Sequence, residues 1–437
     1  MNRKTKLSMS ILSVIGIGGL LAGCAAPANT NNGGAASTNP KVAATNSKQI
    51  NLVEWTYYAN EKLAVQQFEK IHPNIHITLK VFPGSDYETK LQAALSTGTD
   101  VPDIFDLDMG YIGKFINTPY VADLSKLGAN SLVKGMIPYV AAGGEKSNGD
   151  VGAITDTSSP GGFWFNMAAA KKWLGTNDPN KVATMVNSWS KIESLGKKIN
   201  QESKGKVHLL DDPGSVFAVE EYHTQNLVQN GKLVIDPKWN TILNTMRTLA
   251  QPGLTANLPA MGTGWGNSLN DHSADPDAIL FAIPSWAGFM VNSTTANGKY
   301  GVVPAPDGYY EGGRYAAIYA GSKNQQAAYE YLQFLASPQW QKWNLDNTAN
   351  MPSLKSVYTK YENTYTYPWF GNQKILKMYY KISMDIPPQK QDEYEQPLVS
   401  DFLGDASTMV TQKKSNQWAI QQLKAQVQSS YPEVKVD

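Results

Sequence analysis

The first hundred residues of the body of the chain alternate between apolar runs and helical patterns, and this alternation strongly constrains the fold. Strand-like runs and amphipathic spacing follow one another at 50–55, 63–71, 75–82, 87–95 and 102–108. Parallel strands need a long crossover connection, which is usually a helix, whereas a tight turn joins antiparallel strands. Strands separated by helical patterns are therefore expected to pair in parallel. The pattern therefore predicts an α/β fold with a parallel sheet covered by helices on both faces.

Ligands of such sheets bind just beyond the carboxyl ends of the strands. The side chains at these positions are Tyr57, Tyr58, Asp106, Asp108 and Tyr111. Aspartate after a strand is also a common helix N-cap, and Asp106 suits that role equally well.

The amino terminus has the features of a signal peptide. Three basic residues fall within the first six, and an apolar stretch over 7–21 follows, which is too short to span a bilayer comfortably. It ends in Leu21-Ala22-Gly23-Cys24, which resembles a bacterial lipobox, and Cys24 is the single cysteine of the chain. An ordinary secretory signal with a chance cysteine is the alternative.

We therefore predict a signal peptide over 1–23 and a lipid on Cys24. Residues 24–48 are rich in Ala, Asn, Thr and Gly, which is typical of a flexible tether. This leader predicts an extracytoplasmic protein held at the outer face of the bacterial cell membrane.

Composition excludes several other classes. The 38 Lys and Arg nearly balance the 37 Asp and Glu, which argues against a nucleic-acid binder. Hydrophobic residues make up 42% and charged residues 17%, too apolar for a disordered chain. A length of 437 residues predicts about two domains, and we expect a monomer.

A polar, glycine-rich interruption separates two strand-like runs in the middle of the chain. Residues 156–162 lie between strands predicted at 151–155 and 163–166, an arrangement that suits a hinge or a ligand loop. Further strands are predicted at 279–284, 300–303 and 315–319, and further helices at 168–174, 189–199, 325–335 and 419–427.

Six motifs in this order carry a resemblance to a known family. They are Glu54-Trp55 at the first strand end, FEKIHPNI at 68–75, YETKL at 87–91 with VPDI at 101–104, Phe165-Asn166, SWSK at 188–191, and the stretch from SKNQQAAY to SP at 322–338. This order resembles the oligosaccharide-binding family of ABC-importer extracellular solute-binding proteins, which includes maltose-binding protein.

The resemblance implies two α/β lobes joined by hinge strands, with the ligand in the cleft and delivery to the permease of an ABC transporter. It places the lobes at 49–155 with 315–346 and at 156–305 with 352–437, and the hinge segments near 155–161, 305–314 and 347–352. The family's usual tyrosine-asparagine-lysine stretch is replaced here by 155–165. That departure leaves the ligand class open.

A sugar offers an apolar C–H face and a rim of hydroxyls, so its site needs flat aromatics together with carboxylates, amides or arginine. Trp286 is the first candidate, because it follows an apolar strand where the family places a stacking aromatic. The other candidates are Tyr57, Tyr58, Trp55, Asp86, Asp108, Tyr111, Asp156, Trp164, Glu221, Trp265 and Arg314.

Each candidate also has a structural interpretation. Trp286 and Trp55 suit a hydrophobic core, and Asp86 suits a helix N-cap. Trp265 lies in a glycine-rich loop that either closes over a ligand or covers the surface. Arg314 can hold hydroxyls, a ligand carboxylate or an acid of the protein.

Enzyme motifs give little support for catalysis. Residues 103–110 resemble a chitinase D-x-x-D-x-D-x-E motif, but Gly110 stands where the proton-donating Glu is needed. Asp271, Asp275 and Asp277 lack the spacing of a calcium loop. We expect a binding protein with no cofactor or metal; a secreted glycoside-active enzyme and a receptor for a non-sugar solute are the alternatives.

Overall fold

The computed structural model describes residues 48–437, so the predicted signal peptide, Cys24 and almost all of the tether lie outside the described residues. Within 48–437, no helix combines the length and apolarity that a bilayer crossing requires. The strands are β1 (Ile50–Thr56), β2 (Ile75–Val81), β3 (Ile104–Asp108), β4 (Ala153–Ile154), β5 (Pro160–Asn166), β6 (His208–Leu210), β7 (Val228–Gln229), β8 (Lys232–Leu233), β9 (Ala278–Pro284), β10 (Tyr300–Val303), β11 (Tyr309–Tyr310) and β12 (Arg314–Ile318).

Helices cover both sheets. They are α1 (Glu61–Ile71), α2 (Gly84–Thr97), α3 (Gly113–Ile116), α4 (Asn130–Val133), α5 (Pro138–Gly143), α6 (Met167–Ala169), α7 (Pro179–Met185), α8 (Trp189–Ser203), α9 (Gly214–Glu220), α10 (Lys238–Leu249), α11 (Thr263–Leu269), α12 (Gln325–Leu335), α13 (Pro338–Thr348), α14 (Lys355–Tyr361), α15 (Ile375–Asp385), α16 (Glu395–Thr411) and α17 (Asn416–Ser430). Single 3₁₀ turns lie at Leu124–Leu127, Glu221–His223, Ala287–Met290 and Pro368–Phe370, and a π-turn at Ala170–Leu174.

The first sheet has the order β2-β1-β3-β12-β4, and we call the body built on it the N-lobe. Strands β1, β2 and β3 are parallel, as their helical connections predict. Strand β12 returns from the distant part of the chain and pairs antiparallel with β3 and β4. The rings of Phe68 on α1 and Tyr331 on α12 are fully buried and meet edge to face, with centroids 5.1 Å apart.

The second sheet has the order β10-β5-β9-β6 with β11 on β5, and we call its body the C-lobe. Strands β5 and β9 are antiparallel, whereas β6 and β9 are parallel. Buried rings of Phe217, Trp239 and Phe402 pack helices α9, α10 and α16 together with centroids 5.0 to 5.8 Å apart. Each lobe thus has its own sheet and its own aromatic core.

The chain passes between the sheets after β4 and again between β11 and β12. We predicted a polar loop over 156–162 at the first passage. The loop is shorter, because β5 begins at Pro160 and includes Gly161 and Gly162. A Cβ on Gly161 would lie 2.1 Å from the ring of Tyr309, so only glycine permits this close pairing of β5 with β11. Near residue 352 the chain also bridges to Thr157 beside the first passage.

Candidate ligand-binding cleft

A cavity of about 750 Å³ lies where the strand ends of the two sheets face each other. Tyr57 and Tyr58 reach it from the end of β1, and Asp108 from the end of β3. Trp286 reaches it from the opposite side, two residues after β9. The crossing segment with Asp156 forms part of its floor.

The N-lobe wall of this cleft is hydrogen-bonded internally. The Tyr57 hydroxyl donates to Asp108 Oδ2 at 2.7 Å, and the Gly110 N–H donates to Asp108 Oδ1 at 2.8 Å. Asn350 donates from Nδ2 to the Tyr58 hydroxyl at 3.0 Å. Burial raises the pKa of Asp108, while these hydrogen bonds partly lower it. The polar groups of this wall are therefore held in place before any ligand arrives.

The C-lobe wall presents aromatic surface to solvent. Trp286 is 37% exposed and Phe289 is 72% exposed. Their rings lie within 9° of parallel, with centroids 6.1 Å apart. The indole N–H of Trp286 donates to the Glu311 carbonyl at 2.7 Å, which fixes the ring while leaving much of its surface uncovered. Exposed rings of this size mark an interaction site, because their burial is favourable.

A second aromatic group supports this wall from the 3₁₀ turn before α15. Trp369 meets the edge of Tyr367 with centroids 5.0 Å apart. Trp164 on β5 lines the cleft but is only 2% exposed, and its N–H donates to the Tyr379 hydroxyl at 2.8 Å. Phe370 covers Trp164 edge to face at 4.7 Å. Trp164 therefore mainly supports the exposed rings and offers little surface of its own.

Arg314 lies beneath the cleft and is surrounded by carboxylates. Its Nη1 lies 2.8 Å from Glu61 Oε2 and 3.0 Å from Asp106 Oδ1, and its Nη2 lies 3.1 Å from Asp156 Oδ1. The guanidinium carbon lies 5.6 Å from the centre of the Tyr58 ring. The sequence left three partners open for Arg314: ligand hydroxyls, a ligand carboxylate or an acid of the protein. The structure shows Arg314 paired with acids of the protein.

The acids around Arg314 are buried beyond the reach of water. Burial raises the pKa of Glu61 to about 7, although Arg314 opposes the shift. Burial also raises the pKa of Glu54 well above its usual value, and the neighbouring Glu61 adds to this. Both Glu54 carboxyl oxygens are buried without a hydrogen-bond partner. One arginine thus lies among several buried carboxyl groups, and its positive charge opposes the rise in pKa that burial causes.

Asp156 is used entirely by the protein. Besides Arg314, its carboxylate accepts from Trp340 Nε1 at 2.7 Å and from Asn344 Nδ2 at 3.1 Å. It is 2% exposed. We predicted that Asp156 accepts hydrogen bonds from ligand hydroxyls. Its position better suits a structural role, in which its carboxylate joins the crossing segment to α13.

Two predicted tryptophans lie in cores outside the cleft. Trp55 is 6% exposed and packs on Phe82 with ring centroids 4.7 Å apart. Trp265 is 1% exposed and donates to Asp211 Oδ2 at 2.8 Å. The predicted flexible loop around Trp265 is helix α11, whose apolar face points into the C-lobe. Both indoles are buried because the strand and helix that carry them pack inward.

Three predicted polar residues also lie outside the cavity lining. Asp86 stands in the first turn of α2 and pairs with Lys90 at 3.0 Å, and this pairing lowers its pKa. Tyr111 packs edge to face on Phe115 at 6.0 Å. Glu221 begins the 3₁₀ turn after α9, and burial raises its pKa to about 8. Tyr111 was predicted from its place after a strand, Asp86 from its place before a helix and Glu221 from its place in the second lobe, and none of these positions was enough to put a side chain in the cleft.

Several cleft residues were absent from the sequence prediction. They are Phe289, Asn350, Tyr367, Trp369 and Tyr379. A usable signal was the density of aromatics in the segment YTYPW at 365–369, within a weakly patterned part of the chain. Asn350 carried no such signal, because its role depends on meeting Tyr58 across 292 positions of sequence.

A second cavity, of about 1080 Å³, lies on the C-lobe between α7 and α15. Its lining contains none of the predicted site residues and comes from the C-lobe and the segment approaching β11. The cleft remains the better candidate, because both sheets and both crossing segments contribute to it. In residues 48–437, no three His, Cys, Asp or Glu side chains are arranged to hold a metal.

Two sheets joined by crossing segments, with a lined cleft between them, define a two-lobed solute-binding protein. The family model described as "Bacterial extracellular solute-binding protein" matches residues 53–342. The chain belongs to this family.

Solved structures share the fold at low sequence identity. The sugar-binding protein MalE from the phytopathogen Xanthomonas citri is 15% identical, with a TM-score of 0.69 over 87% of this chain and 96% of that one. The galacto-N-biose/lacto-N-biose I-binding protein of the ABC transporter from Bifidobacterium longum is 14% identical, with a TM-score of 0.70 over 90% and 100%. The ABC-transporter-associated binding protein from B. animalis subsp. lactis Bl-04 is 18% identical, with a TM-score of 0.67 over 89% and 100%. The predicted family and two-lobed fold are confirmed.

Proposed function

We propose that this protein captures a carbohydrate, with an oligosaccharide as the preferred size, and delivers it to the permease of an ABC transporter. The observation that carries the proposal is the pairing of two unlike walls across one cleft. Exposed indole and phenyl rings on the C-lobe face hydroxyl, amide and carboxylate groups on the N-lobe. This pairing matches the apolar face and the hydroxyl rim of a pyranose.

The ligands of similar proteins support the same class. The B. longum protein was solved with lacto-N-biose and the B. animalis protein with β-1,6-galactobiose. A cavity of about 750 Å³ has room for more than one sugar ring. We therefore assign stacking to Trp286, Phe289 and Trp369, and hydrogen bonding to Asp108 and Asn350.

Closure of the lobes would couple binding to transport. A ligand that contacts both walls favours the closed state by the free energy of the contacts it makes only there. The crossing segments after β4 and before β12 are the positions where the backbone would absorb the rotation. In this proposal the protein acts outside the cytoplasm as a monomer, anchored by a lipid on Cys24.

A ligand screen tests the proposal directly. The mature protein is mixed with neutral mono- and oligosaccharides, and binding is followed by thermal shift and by quenching of tryptophan fluorescence. We expect a saturable signal with at least one oligosaccharide. Absence of any signal across the panel, with amino acids and peptides active instead, would overturn the carbohydrate assignment.

Turnover is measured in the same samples. A transport receptor releases its ligand unchanged, so chromatography after prolonged incubation should return the intact sugar. Steady accumulation of shorter sugars would identify an enzyme in place of a receptor.

A further inference from the structure

We infer that the cleft discriminates against anionic ligands, so that it accepts sugars that are uncharged or carry a protonated amine and disfavours uronates, sulfated sugars and phosphorylated sugars. The inference rests on the proposed function and deepens it. It follows from which charges line the cavity and which of them are already paired.

The formally charged side chains in the cavity lining, within residues 48–437, are Asp108, Asp156 and Arg314. Arg314 is thus the single cation among these lining residues. An anionic ligand needs a cation or a set of free N–H donors, since a buried negative charge without a partner is strongly unfavourable.

The charge of Arg314 is already balanced by the protein. Three carboxyl oxygens lie within 3.1 Å of its guanidinium nitrogens, and the side chain is 10% exposed. The Tyr58 ring lies against the guanidinium group. A ligand carboxylate that reached this group would also lie near Glu61, Asp106 and Asp156, all of which repel it when ionised.

Asp108 adds an uncompensated negative charge on the N-lobe wall. Its oxygens accept from the Tyr57 hydroxyl and the Gly110 N–H, which are neutral donors. Opposite it, the faces of Trp286, Phe289 and Trp369 carry the negative side of the aromatic quadrupole. Such faces attract C–H groups and cations and disfavour anions.

The test uses neutral disaccharides, each paired with its own acid. Maltose, cellobiose, lactose and β-1,6-galactobiose are compared with the forms in which the C6 hydroxymethyl group of the non-reducing ring is oxidised to a carboxylate. Affinities are measured by calorimetry at pH 7 and low ionic strength. For every neutral sugar that binds, we expect the acid to bind at least about tenfold more weakly.

The outcomes separate the two proposals. An acid that binds as tightly as its neutral partner overturns the charge inference and leaves carbohydrate binding intact. Failure of every sugar in the full panel of mono- and oligosaccharides, and of every acid, to bind overturns the carbohydrate proposal, and the charge inference with it.

The variant Asp108→Asn tests whether this carboxylate causes the discrimination against acidic sugars. In Asp108→Asn the ratio of neutral to acidic affinity should narrow several-fold, because the negative charge is removed and the shape is kept. The control Asp86→Asn makes the same change at a 52% exposed side chain outside the cavity, and its ratio should stay at the wild-type value. An unchanged ratio in Asp108→Asn would overturn the assignment to this residue.

Salt provides a readout on the wild-type protein, independent of how the variants fold. Screening weakens repulsion between charges, so the penalty for the acid should shrink between low salt and 0.5 M NaCl, where the Debye length is only a few ångströms. A penalty that is the same at both concentrations would overturn the assignment to charge repulsion, and would leave the cost of burying the ligand charge without a cation as its cause.

Discussion

The two walls of the cleft are built on opposite principles. On the N-lobe wall the polar atoms already have partners: Tyr57 donates to Asp108, and Asn350 donates to Tyr58. On the C-lobe wall, Trp286 and Phe289 leave 37% and 72% of their surface exposed. One wall is complete without a ligand, whereas the other still has apolar surface to bury.

This difference separates stability from binding. Substitutions beneath the N-lobe wall remove interactions that the folded protein makes at all times, so they should lower the free energy of unfolding. Substitutions on the C-lobe wall remove aromatic surface that a ligand would cover, so they should lower affinity by more than they lower stability. Three of the four predictions below test this separation, and the remaining one concerns a buried acid in the core of the C-lobe.

The largest effect is expected on stability from Arg314→Met. The change leaves Glu61, Asp106 and Asp156 close together without their cation, and breaking a buried ion pair in this way costs about 3–5 kcal/mol. Urea denaturation measures the loss. Arg247→Met, at an exposed arginine on α10, should change stability by less than about 0.5 kcal/mol. A loss below 1 kcal/mol for Arg314→Met would mean that the acids are held as neutral groups.

The second effect concerns pH and a buried acid of the C-lobe. Asp211 is fully buried, its partners are Trp265, Ser215 and the Asp212 N–H, and burial raises its pKa to about 7. The unfolded chain releases this proton near pH 4, so stability falls as the pH rises from about 4 to 7.

Asp211→Asn removes this titration. Between pH 5 and pH 7 the slope of unfolding free energy against pH should become shallower by up to about 1.4 kcal/mol per pH unit. Asp277→Asn, at an exposed side chain, should keep the wild-type slope. Urea denaturation at several pH values measures these slopes. Equal slopes in wild type and Asp211→Asn would refute the assignment of this titration to Asp211.

The third effect is on affinity. Trp286→Ala should weaken binding of any sugar found in the screen by about 1–3 kcal/mol, because an aromatic face no longer covers the ligand. Stability should fall by less than affinity, because the indole is 37% exposed in the free protein. Trp418→Ala removes a half-buried indole on α17, far from the cleft, and should leave affinity unchanged. Sugar affinity that is unaltered by Trp286→Ala would contradict the stacking assignment.

The smallest effect is expected from Tyr57→Phe. It removes the hydroxyl that donates to Asp108 at 2.7 Å, and one hydrogen bond contributes about 1 kcal/mol. Stability should fall and affinity should change little, because this bond exists both before and after binding and its loss cancels between the free and the bound state. The matched control is Tyr361→Phe, outside the cleft lining, which should change neither quantity. A loss of affinity without a loss of stability would show that the N-lobe wall orders only in the complex.

The sequence predicted the N-lobe better than the rest of the chain. The first three strands and their helices were recognised from their spacing, and 300–303 and 325–335 have the bounds that were predicted. Helices α13 to α16, within 338–411, were not predicted. Helix α13 mixes its apolar side chains with polar ones and α14 has only seven residues, so neither has a clear apolar period. Helix α15 does bury one apolar face, and its spacing could have been recognised.

The candidate site was predicted in part. Seven of the twelve proposed ligand residues line the cleft, and these include Tyr57, Tyr58 and Trp286. Trp55 and Trp265 lie elsewhere because a tryptophan is usually buried, and residue type does not say which side of an element faces the cleft. Asp156 and Arg314 line it but bind each other.

Residue spacing along the chain was enough to predict the alternation of strands and helices, and the order of six motifs was enough to predict the family. It could not establish which charges neutralise one another. Arg314 meets Asp106 and Asp156 across 208 and 158 positions of sequence. Periodicity encodes which face of an element is buried, whereas the partner of a buried charge is chosen by how separate elements pack.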